Sequence, residues 1–208
     1  MSLSGGEQLI CTQCIYDLPY TGFHLQPDNI VQRQFWGKLQ VEAAYAMCYF
    51  TKGGKIQHLV HRLKYKNMPD IGKKLGSMAA DRLVQNNIFK SADVIVPVPL
   101  YKSRLRKRGY NQSAKFAEGI AEKLGARVET DNLVRVRFTE TQTKKSRFER
   151  AENMRDVFCV LHPGRLAGKR VLLVDDIMTT GATLEACGIA LLSVQGLQLC
   201  IATIAYTE

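Results

Sequence analysis

The sequence predicts an α/β fold in which a parallel sheet is flanked by helices. Short apolar segments, typical of buried strands, alternate with segments whose apolar residues recur at helical spacing. The 208 residues are 46% hydrophobic, which is enough for an ordinary core, and none of the apolar runs is long enough to cross a membrane. We therefore expect a soluble globular protein without a membrane span.

The chain divides near residue 40 into a small and a large part. Residues 1–40 are rich in polar and turn residues and predict a small irregular module, whereas residues 41–208 predict the main domain. Strands are expected over residues 41–50, 93–97, 133–136, 171–174 and 197–205, and helices over residues 56–64, 71–87, 112–124 and 184–194. Residues 137–155 are strongly polar and without a stable period, which favours a functional loop.

The charge and the cysteines restrict the partners and the compartment. With 29 basic and 19 acidic residues, the formal charge is +10, and it favours an anionic partner. Polyphosphate ligands and nucleic acid satisfy this charge equally well. No secretory signal is recognisable, and four cysteines lie in apolar stretches, so we expect a reduced, cytoplasmic protein. These cysteines are Cys48, Cys159, Cys187 and Cys200.

The segment 171–183, VLLVDDIMTTGAT, is the most informative part of the chain. An apolar strand ends at Asp175 and Asp176, and a loop of hydroxyl residues then leads into a helix. Ligands of open α/β sheets bind at such strand ends, and the N–H groups of a helix start favour a phosphate. Gly181 allows close approach of the backbone. The two carboxylates suit the vicinal hydroxyls of a ribose, provided that the chain bends there, since adjacent strand residues point to opposite faces.

This segment resembles the phosphoribosyl pyrophosphate (PRPP) signature of the type I phosphoribosyltransferases at all thirteen positions. The resemblance implies the type I phosphoribosyltransferase fold. It also implies that Asp175 and Asp176 hold the ribose and, through PRPP, Mg²⁺. The residues that would bind the 5′-phosphate are Met178, Thr179, Thr180, Gly181, Ala182 and Thr183. The sequence contains neither a Walker motif nor a dinucleotide-binding glycine motif, which disfavours nucleoside triphosphate and NAD.

The segment 99–113, PLYKSRLRKRGYNQS, predicts a basic loop between a strand and a helix. Its five basic residues are Lys102, Arg104, Arg106, Lys107 and Arg108. Their mutual repulsion favours an anion among them, and pyrophosphate is a suitable one. The run RGYNQ at 108–112 is similar to the competence protein F (ComF) family, and this resemblance implies a pyrophosphate loop that includes Gly109. The alternative is a solvated basic surface loop.

The polar segment 137–158 resembles the same family at four positions, which are Gln142, Arg150, Asn153 and Phe158. It departs from the family at Lys145, where relatives often have leucine. The resemblance implies a loop that closes over the reacting centre and excludes water. The candidate catalytic residues are Lys144, Lys145 and Arg147, which could neutralise the oxygens of the leaving group. The alternative is a disordered linker.

The amino-terminal module contains one CxxC pair, Cys11 and Cys14. ComF relatives commonly have two such pairs in a zinc finger, and the second pair is missing here. His24 or Cys48 could complete a Zn²⁺ site, and the alternative is a pair without metal. His58 and His61 are predicted to be surface residues.

The resemblance implies transfer of the phosphoribosyl group of PRPP to an unidentified acceptor, with Mg²⁺ and release of pyrophosphate. The protein would contribute orientation and charge stabilisation rather than covalent catalysis. Two alternatives remain. One is a non-catalytic accessory protein for DNA uptake that binds single-stranded DNA through basic loops and nearby aromatic rings. The other is a regulator that binds PRPP without turning it over.

Overall fold

The computed structural model of the chain describes residues 9–136 and 157–207. Its centre is a five-stranded parallel sheet with the strand order β1-β7-β6-β2-β3. The strands are β1 Ala43–Tyr49, β2 Val94–Pro97, β3 Arg127–Val128, β4 Leu133–Arg135, β5 Phe158–Val160, β6 Arg170–Met178 and β7 Gln198–Tyr206. The parallel sheet with flanking helices that the sequence predicts is confirmed.

The helices connect and flank these strands. They are α1 Thr12–Tyr16, α2 Ile30–Arg33, α3 Lys55–Tyr65, α4 Pro69–Leu83, α5 Asn87–Lys90, α6 Lys102–Arg108, α7 Gln112–Leu124 and α8 Ala182–Leu192. Helix α7 packs on β2, β3 and β6, and α8 contacts β6 and β7. Strand β6 is consequently covered, and its apolar residues Val171, Leu172, Leu173 and Val174 have no exposed surface. Burial on both faces explains why residues 171–174 of this strand are all apolar.

The segment before β1 packs directly on that strand. The Thr21 hydroxyl donates to the carbonyl of Ala46 at 2.6 Å, and the Asn29 amide donates to the carbonyl of Ala44 at 2.8 Å. Phe35 is 1% exposed and belongs to the same hydrophobic core as the sheet. Residues 10–40 therefore share a core with the rest of the chain.

Helices α4 and α7 approach each other through two glycines, Gly76 and Gly119. A Cβ atom at Gly119 would lie 2.8 Å from the carbonyl carbon of Lys73 and 2.9 Å from the nitrogen of Ser77. A Cβ atom at Gly76 would lie 3.0 Å from the nitrogen of Ile120. Because these neighbours are backbone atoms, a side chain at either position would force the helices apart.

We expect Gly119→Ala to destabilise the protein strongly. Separating two packed helices should cost roughly 3 kcal/mol, which corresponds to a fall in melting temperature of about 6–12 °C for a chain of this size. Gly164→Ala is the matched control, because a Cβ atom there meets nothing within 4 Å. Thermal unfolding of both variants tests the packing, and equal melting temperatures would contradict it.

Three sequence predictions need correction. Residues 102–108, predicted as part of a loop, form α6, because lysine, arginine and leucine favour helix and Gly109, at a φ of 81°, ends it in the left-handed region. Strand β6 continues past its predicted end at residue 174 to Met178, since pairing with β7 continues as far as Tyr206. Strand β4 pairs antiparallel with β5 in a separate two-stranded sheet.

The described residues contain no helix that is both long and apolar enough to cross a membrane.

Candidate functional site

Asp175 and Asp176, near the carboxyl end of β6, lie against the first turn of α7. We call these two residues the carboxylate pair. Ser113 Oγ donates to Asp175 Oδ1 at 2.9 Å, and Gln112 Nε2 donates to Asp176 Oδ2 at 3.0 Å. Each Oδ1 also accepts the N–H of the following residue, at 2.8 Å for Asp175 and 2.7 Å for Asp176. Consecutive residues of α7 thus hydrogen-bond to both carboxylates, while β6 continues past them as a strand paired with β7.

The start of α7 is fixed next to β6 by its N-cap residue. Asn111 Oδ1 accepts the N–H of Ser113 at 3.0 Å, which caps the helix. Its Nδ2 donates to the carbonyl of Val98 at 2.9 Å, just after β2, the neighbour of β6 in the sheet. The ends of two adjacent strands and one helix N-terminus therefore meet at the carboxylate pair, as expected for a ligand site of an open α/β sheet.

Lys64, at the end of α3, forms an ion pair with Asp176 of the carboxylate pair. Its Nζ lies 2.9 Å from both Oδ1 and Oδ2 of Asp176, and the side chains are 21% and 11% exposed. The sequence motifs did not single out this lysine. It lies 112 residues away from its partner along the chain, and only the tertiary fold brings the two together.

The pKa of Asp175 is raised from its ordinary value of 3.8 to about 7. The largest cause is burial, which disfavours the charged form, and the negative charge of Asp176 adds to it. The hydrogen bonds from the Asp176 N–H and Ser113 and the charge of Lys64 act in the opposite direction. The site therefore holds a carboxylate whose ionisation a bound cation would favour.

We expect Asp175→Asn to stabilise the protein at pH 8 but not at pH 4. A raised pKa means that the folded state holds the proton more tightly, so the wild type loses stability as the pH rises from about 4 through 7. Asparagine keeps an Oδ1 acceptor for Ser113 and the Asp176 N–H but carries no charge. The melting temperature of the Asp175→Asn variant should exceed that of the wild type by roughly 10 °C at pH 8.

Thermal unfolding of Asp175→Asn at both pH values measures this difference. Asp131→Asn is the control, because the Asp131 side chain is 76% exposed. If the difference in melting temperature between Asp175→Asn and the wild type is the same at pH 4 and pH 8, the assignment of a raised pKa to Asp175 is refuted.

The residues after the carboxylate pair form a second feature, which we call the threonine loop (residues 178–183). Together with Asp175, Ile177 and Leu184 they line a depression of about 40 Å³. Within the described residues, the backbone N–H groups of Thr179, Thr180, Gly181 and Thr183 have no acceptor. Gly181, at a φ of 75°, is the N-cap of α8. The loop therefore presents free N–H donors at a helix N-terminus, an arrangement that favours an anion.

A third feature is a cavity of about 700 Å³, which we call the basic cavity. It is lined by Lys64, Tyr65, Asn67, Arg104, Arg106, Lys107, Arg108 and Gly109. Arg108 Nη1 is buried and has no hydrogen-bond partner in the described part of the chain. A buried donor of this kind is costly unless an acceptor reaches it. Lys64 connects this cavity to the carboxylate pair.

The remaining candidate residue of the basic segment, Lys102, lies apart from the basic cavity. Lys102 lines a different cavity, of about 950 Å³, together with Tyr101 and Arg135, whereas Arg106 lines both cavities. The structure thus separates Lys102 from Arg104 and Arg108. Lys144, Lys145 and Arg147 fall outside the described residues.

Cys11 and Cys14, the two thiols of the CxxC pair, lie close to each other at the surface of the amino-terminal segment. The N–H of Cys14 donates to Cys11 Sγ at 3.3 Å, and both residues line a cavity with exposed His58. His24 packs against Tyr45 with ring centroids 5.8 Å apart, and Cys48 is fully buried in β1. Over residues 9–136 and 157–207, no three His, Cys, Asp or Glu side chains form a metal-binding group. Since structural zinc needs four ligands, these residues do not fit it.

The phosphoribosyl transferase domain family matches residues 61–207. These residues include the carboxylate pair, the threonine loop and the basic cavity. The chain belongs to this family. The match and the five-stranded parallel sheet together establish the type I phosphoribosyltransferase fold that the sequence motif predicts.

Two of three curated relatives match most of this phosphoribosyltransferase-family chain, and the third matches less than half of it. DNA utilization protein YhgH of Escherichia coli K12 is 28% identical over 181 residues, which are 85% of this chain and 75% of that protein. Competence protein F of Haemophilus influenzae is 28% identical over 179 residues, 84% of this chain and 75% of that protein. Competence protein ComFC of Bacillus subtilis is 35% identical over 92 residues, 44% of this chain and 35% of that protein. The ComF resemblance is confirmed.

Solved structures give more distant similarities. Glutamine PRPP amidotransferase from B. subtilis is 25% identical at a TM-score of 0.46, over 68% of this chain and 30% of that enzyme. Adenine phosphoribosyltransferase from Leishmania tarentolae is 14% identical at a TM-score of 0.41, over 91% and 94% of the two chains.

Proposed function

We propose that the chain binds PRPP and Mg²⁺ at the carboxyl end of β6 and transfers the phosphoribosyl group to an acceptor while pyrophosphate leaves. One observation carries the proposal. The carboxylate pair lies between two features that favour anions, since Asp175 borders the threonine loop and Asp176 meets the basic cavity through Lys64. PRPP presents its groups in the same order, with a phosphate, a ribose diol and a pyrophosphate.

The residues present fit Mg²⁺ as well as the ribose. Mg²⁺ in proteins is commonly held by one or two carboxylates together with phosphate oxygens of the substrate. Asp175 and Asp176 offer two adjacent carboxylates, and their mutual repulsion contributes to the raised pKa of Asp175. Gln112 Oε1 is buried without a partner among the described residues and could accept a ligand hydroxyl. When bound, Mg²⁺ would neutralise charge on the departing pyrophosphate.

The chain's own groups would orient PRPP and stabilise its charges. The carboxylate pair would accept hydrogen bonds from the ribose hydroxyls, and the free N–H groups of the threonine loop would bind the 5′-phosphate. Arg104, Arg106 and Arg108 of α6 would neutralise the pyrophosphate as it leaves. Lys144, Lys145 and Arg147 remain candidates for neutralising the oxygens of the leaving group, in a segment that would exclude water from the reacting carbon.

The direct test of turnover is release of radiolabelled pyrophosphate from PRPP across a panel of nucleobases and amines. We expect release that depends on one acceptor and on Mg²⁺. Binding of PRPP without release for any acceptor would instead favour a PRPP-binding regulator, and absence of both binding and release would contradict the proposal.

A second candidate function is binding of single-stranded DNA. The names of the relatives, DNA utilization protein and competence protein, favour it, as does α6, in which residues 102–107 are exposed. Tyr101 is exposed, and its ring centroid lies 3.7 Å from Arg135 Cζ. This ring could stack on a base. Fluorescence anisotropy of a labelled oligonucleotide should then show affinity that falls steeply with salt. Affinity unaffected by salt would exclude this use of the basic residues.

A further inference from the structure

We propose that Lys64 is an exchangeable counter-ion, which neutralises Asp176 in the ligand-free chain and moves to the pyrophosphate group when Mg²⁺ and ribose occupy the carboxylate pair. The proposal rests on the proposed function and adds to it a residue outside the signature motif. Because of this exchange, binding of Mg²⁺ and ribose at the carboxylate pair would strengthen binding of pyrophosphate in the basic cavity, and the reverse.

Lys64 belongs to both parts of the site. Its Nζ lies 2.9 Å from both carboxylate oxygens of Asp176, and the same residue lines the basic cavity. Asp176 keeps two other donors when the lysine leaves, because Gln112 Nε2 and the N–H of Ile177 remain at 3.0 and 2.7 Å. Among the described groups that contact this carboxylate, the lysine is therefore the replaceable cation.

The chemistry of lysine suits such an exchange. An ammonium group on a flexible four-carbon chain can move between neighbouring anions while the backbone stays in place. In the ligand-free chain the cavity already holds the positive charges of Arg104, Arg106, Lys107 and Arg108, so Lys64 gains by staying on Asp176. Once a divalent cation neutralises the carboxylates and pyrophosphate fills the cavity, the balance reverses.

The backbone around Lys64 is held in position, so that only the side chain needs to move. Leu63 is fully buried, and its carbonyl accepts a hydrogen bond from the Tyr110 hydroxyl. The guanidinium of Arg108 lies over the ring of Tyr65, 5.7 Å from its centroid. These contacts attach the end of α3 to the end of α6 and the turn that follows it, and both segments line the basic cavity.

The experiment compares Lys64→Gln with Lys64→Arg and Lys66→Gln. Binding of Mn²⁺ alone, followed by electron paramagnetic resonance, reports on the carboxylate pair, and calorimetry with inorganic pyrophosphate alone reports on the cavity. Lys66→Gln removes the same charge from an exposed neighbour of Lys64. Folding of each variant is checked by thermal unfolding.

We expect Lys64→Gln to bind Mn²⁺ about fivefold more tightly and pyrophosphate about tenfold more weakly than the wild type. Lys64→Arg should restore pyrophosphate binding, and Lys66→Gln should leave both affinities close to wild type. A merely structural lysine would not shift the two affinities in opposite directions. Equal shifts in Lys64→Gln and Lys66→Gln, or no shift in either, would overturn the proposal.

The outcome is separable from that of the proposed function. If the wild type fails to bind PRPP while Lys64→Gln still tightens Mn²⁺ binding, the PRPP assignment fails and the role of Lys64 at Asp176 stands. If the wild type binds PRPP and Lys64→Gln changes neither affinity, the site stands and the exchange is refuted.

Discussion

Replacing Asp175 and Asp176 together by asparagine should abolish Mg²⁺-dependent binding of PRPP, with a loss of at least about a hundredfold in affinity. Asparagine preserves the shape of each side chain and, at position 175, the Oδ1 that accepts from Ser113 and the Asp176 N–H. At position 176 it keeps an Oδ1 for the Ile177 N–H, and the Gln112 amide can rotate so that its Oε1 accepts from the new NH₂ group. The double substitution removes both negative charges that Mg²⁺ requires and weakens hydrogen bonds to the ribose hydroxyls. Isothermal calorimetry with and without Mg²⁺ measures the effect.

The double variant should remain folded, because the charges lost from the carboxylate pair are themselves costly to bury. Circular dichroism and thermal unfolding verify this, and Asp131→Asn controls for loss of an exposed carboxylate. If the double variant is folded and binds PRPP and Mg²⁺ with wild-type affinity, the carboxylate pair does not bind the ribose.

Substituting Arg104, Arg106 and Arg108 by alanine should weaken binding of pyrophosphate by at least about thirtyfold and reduce its dependence on salt. All three arginines line the basic cavity, and Arg108 contributes a buried donor without a partner in the described chain. Removing them takes three positive charges away from one anion site. Calorimetric titration with pyrophosphate between low and high salt measures both effects.

The effect of a lower net charge on pyrophosphate binding must be separated from the effect of losing the arginines that line the cavity. A variant with Lys52, Lys74 and Lys90 replaced by alanine removes three exposed charges that do not line the cavity. We expect it to keep the wild-type affinity for pyrophosphate. If both triple variants weaken binding equally, the anion is attracted by the overall charge and not held in the cavity.

The sequence predicted four of the five strands of the main sheet, because strands buried on both faces are continuous apolar runs, but it did not predict the two-residue strand β3. The runs at residues 93–97 and 171–174 correspond to β2 and β6, which pair in parallel. Helix α7 was predicted with the bounds that the structure shows, since its apolar spacing is regular and glycine follows it. The signature motif likewise predicted the family, which the domain match bears out.

Other features depend on tertiary structure and have no local signal. The charges of residues 102–108 suggested a loop, although the same residues have good helix propensity and form α6. The contact of Lys64 with Asp176 joins α3 to β6, and the periodicity of α3 shows only where the helix lies. The contacts of both carboxylates with α7 depend on Gln112 and Ser113, which lie 64 and 62 residues away from their partners along the chain.

Amide hydrogen exchange of the threonine loop tests the central claim most directly. The N–H groups of Thr179, Thr180, Gly181 and Thr183 have no acceptor in the described chain, so they should exchange rapidly without ligand. On addition of PRPP and Mg²⁺ we predict that these amides become protected, whereas those of the exposed turn at Gly53 stay unchanged. Saturating PRPP that leaves the exchange of the threonine loop unaltered would contradict the assignment of this site.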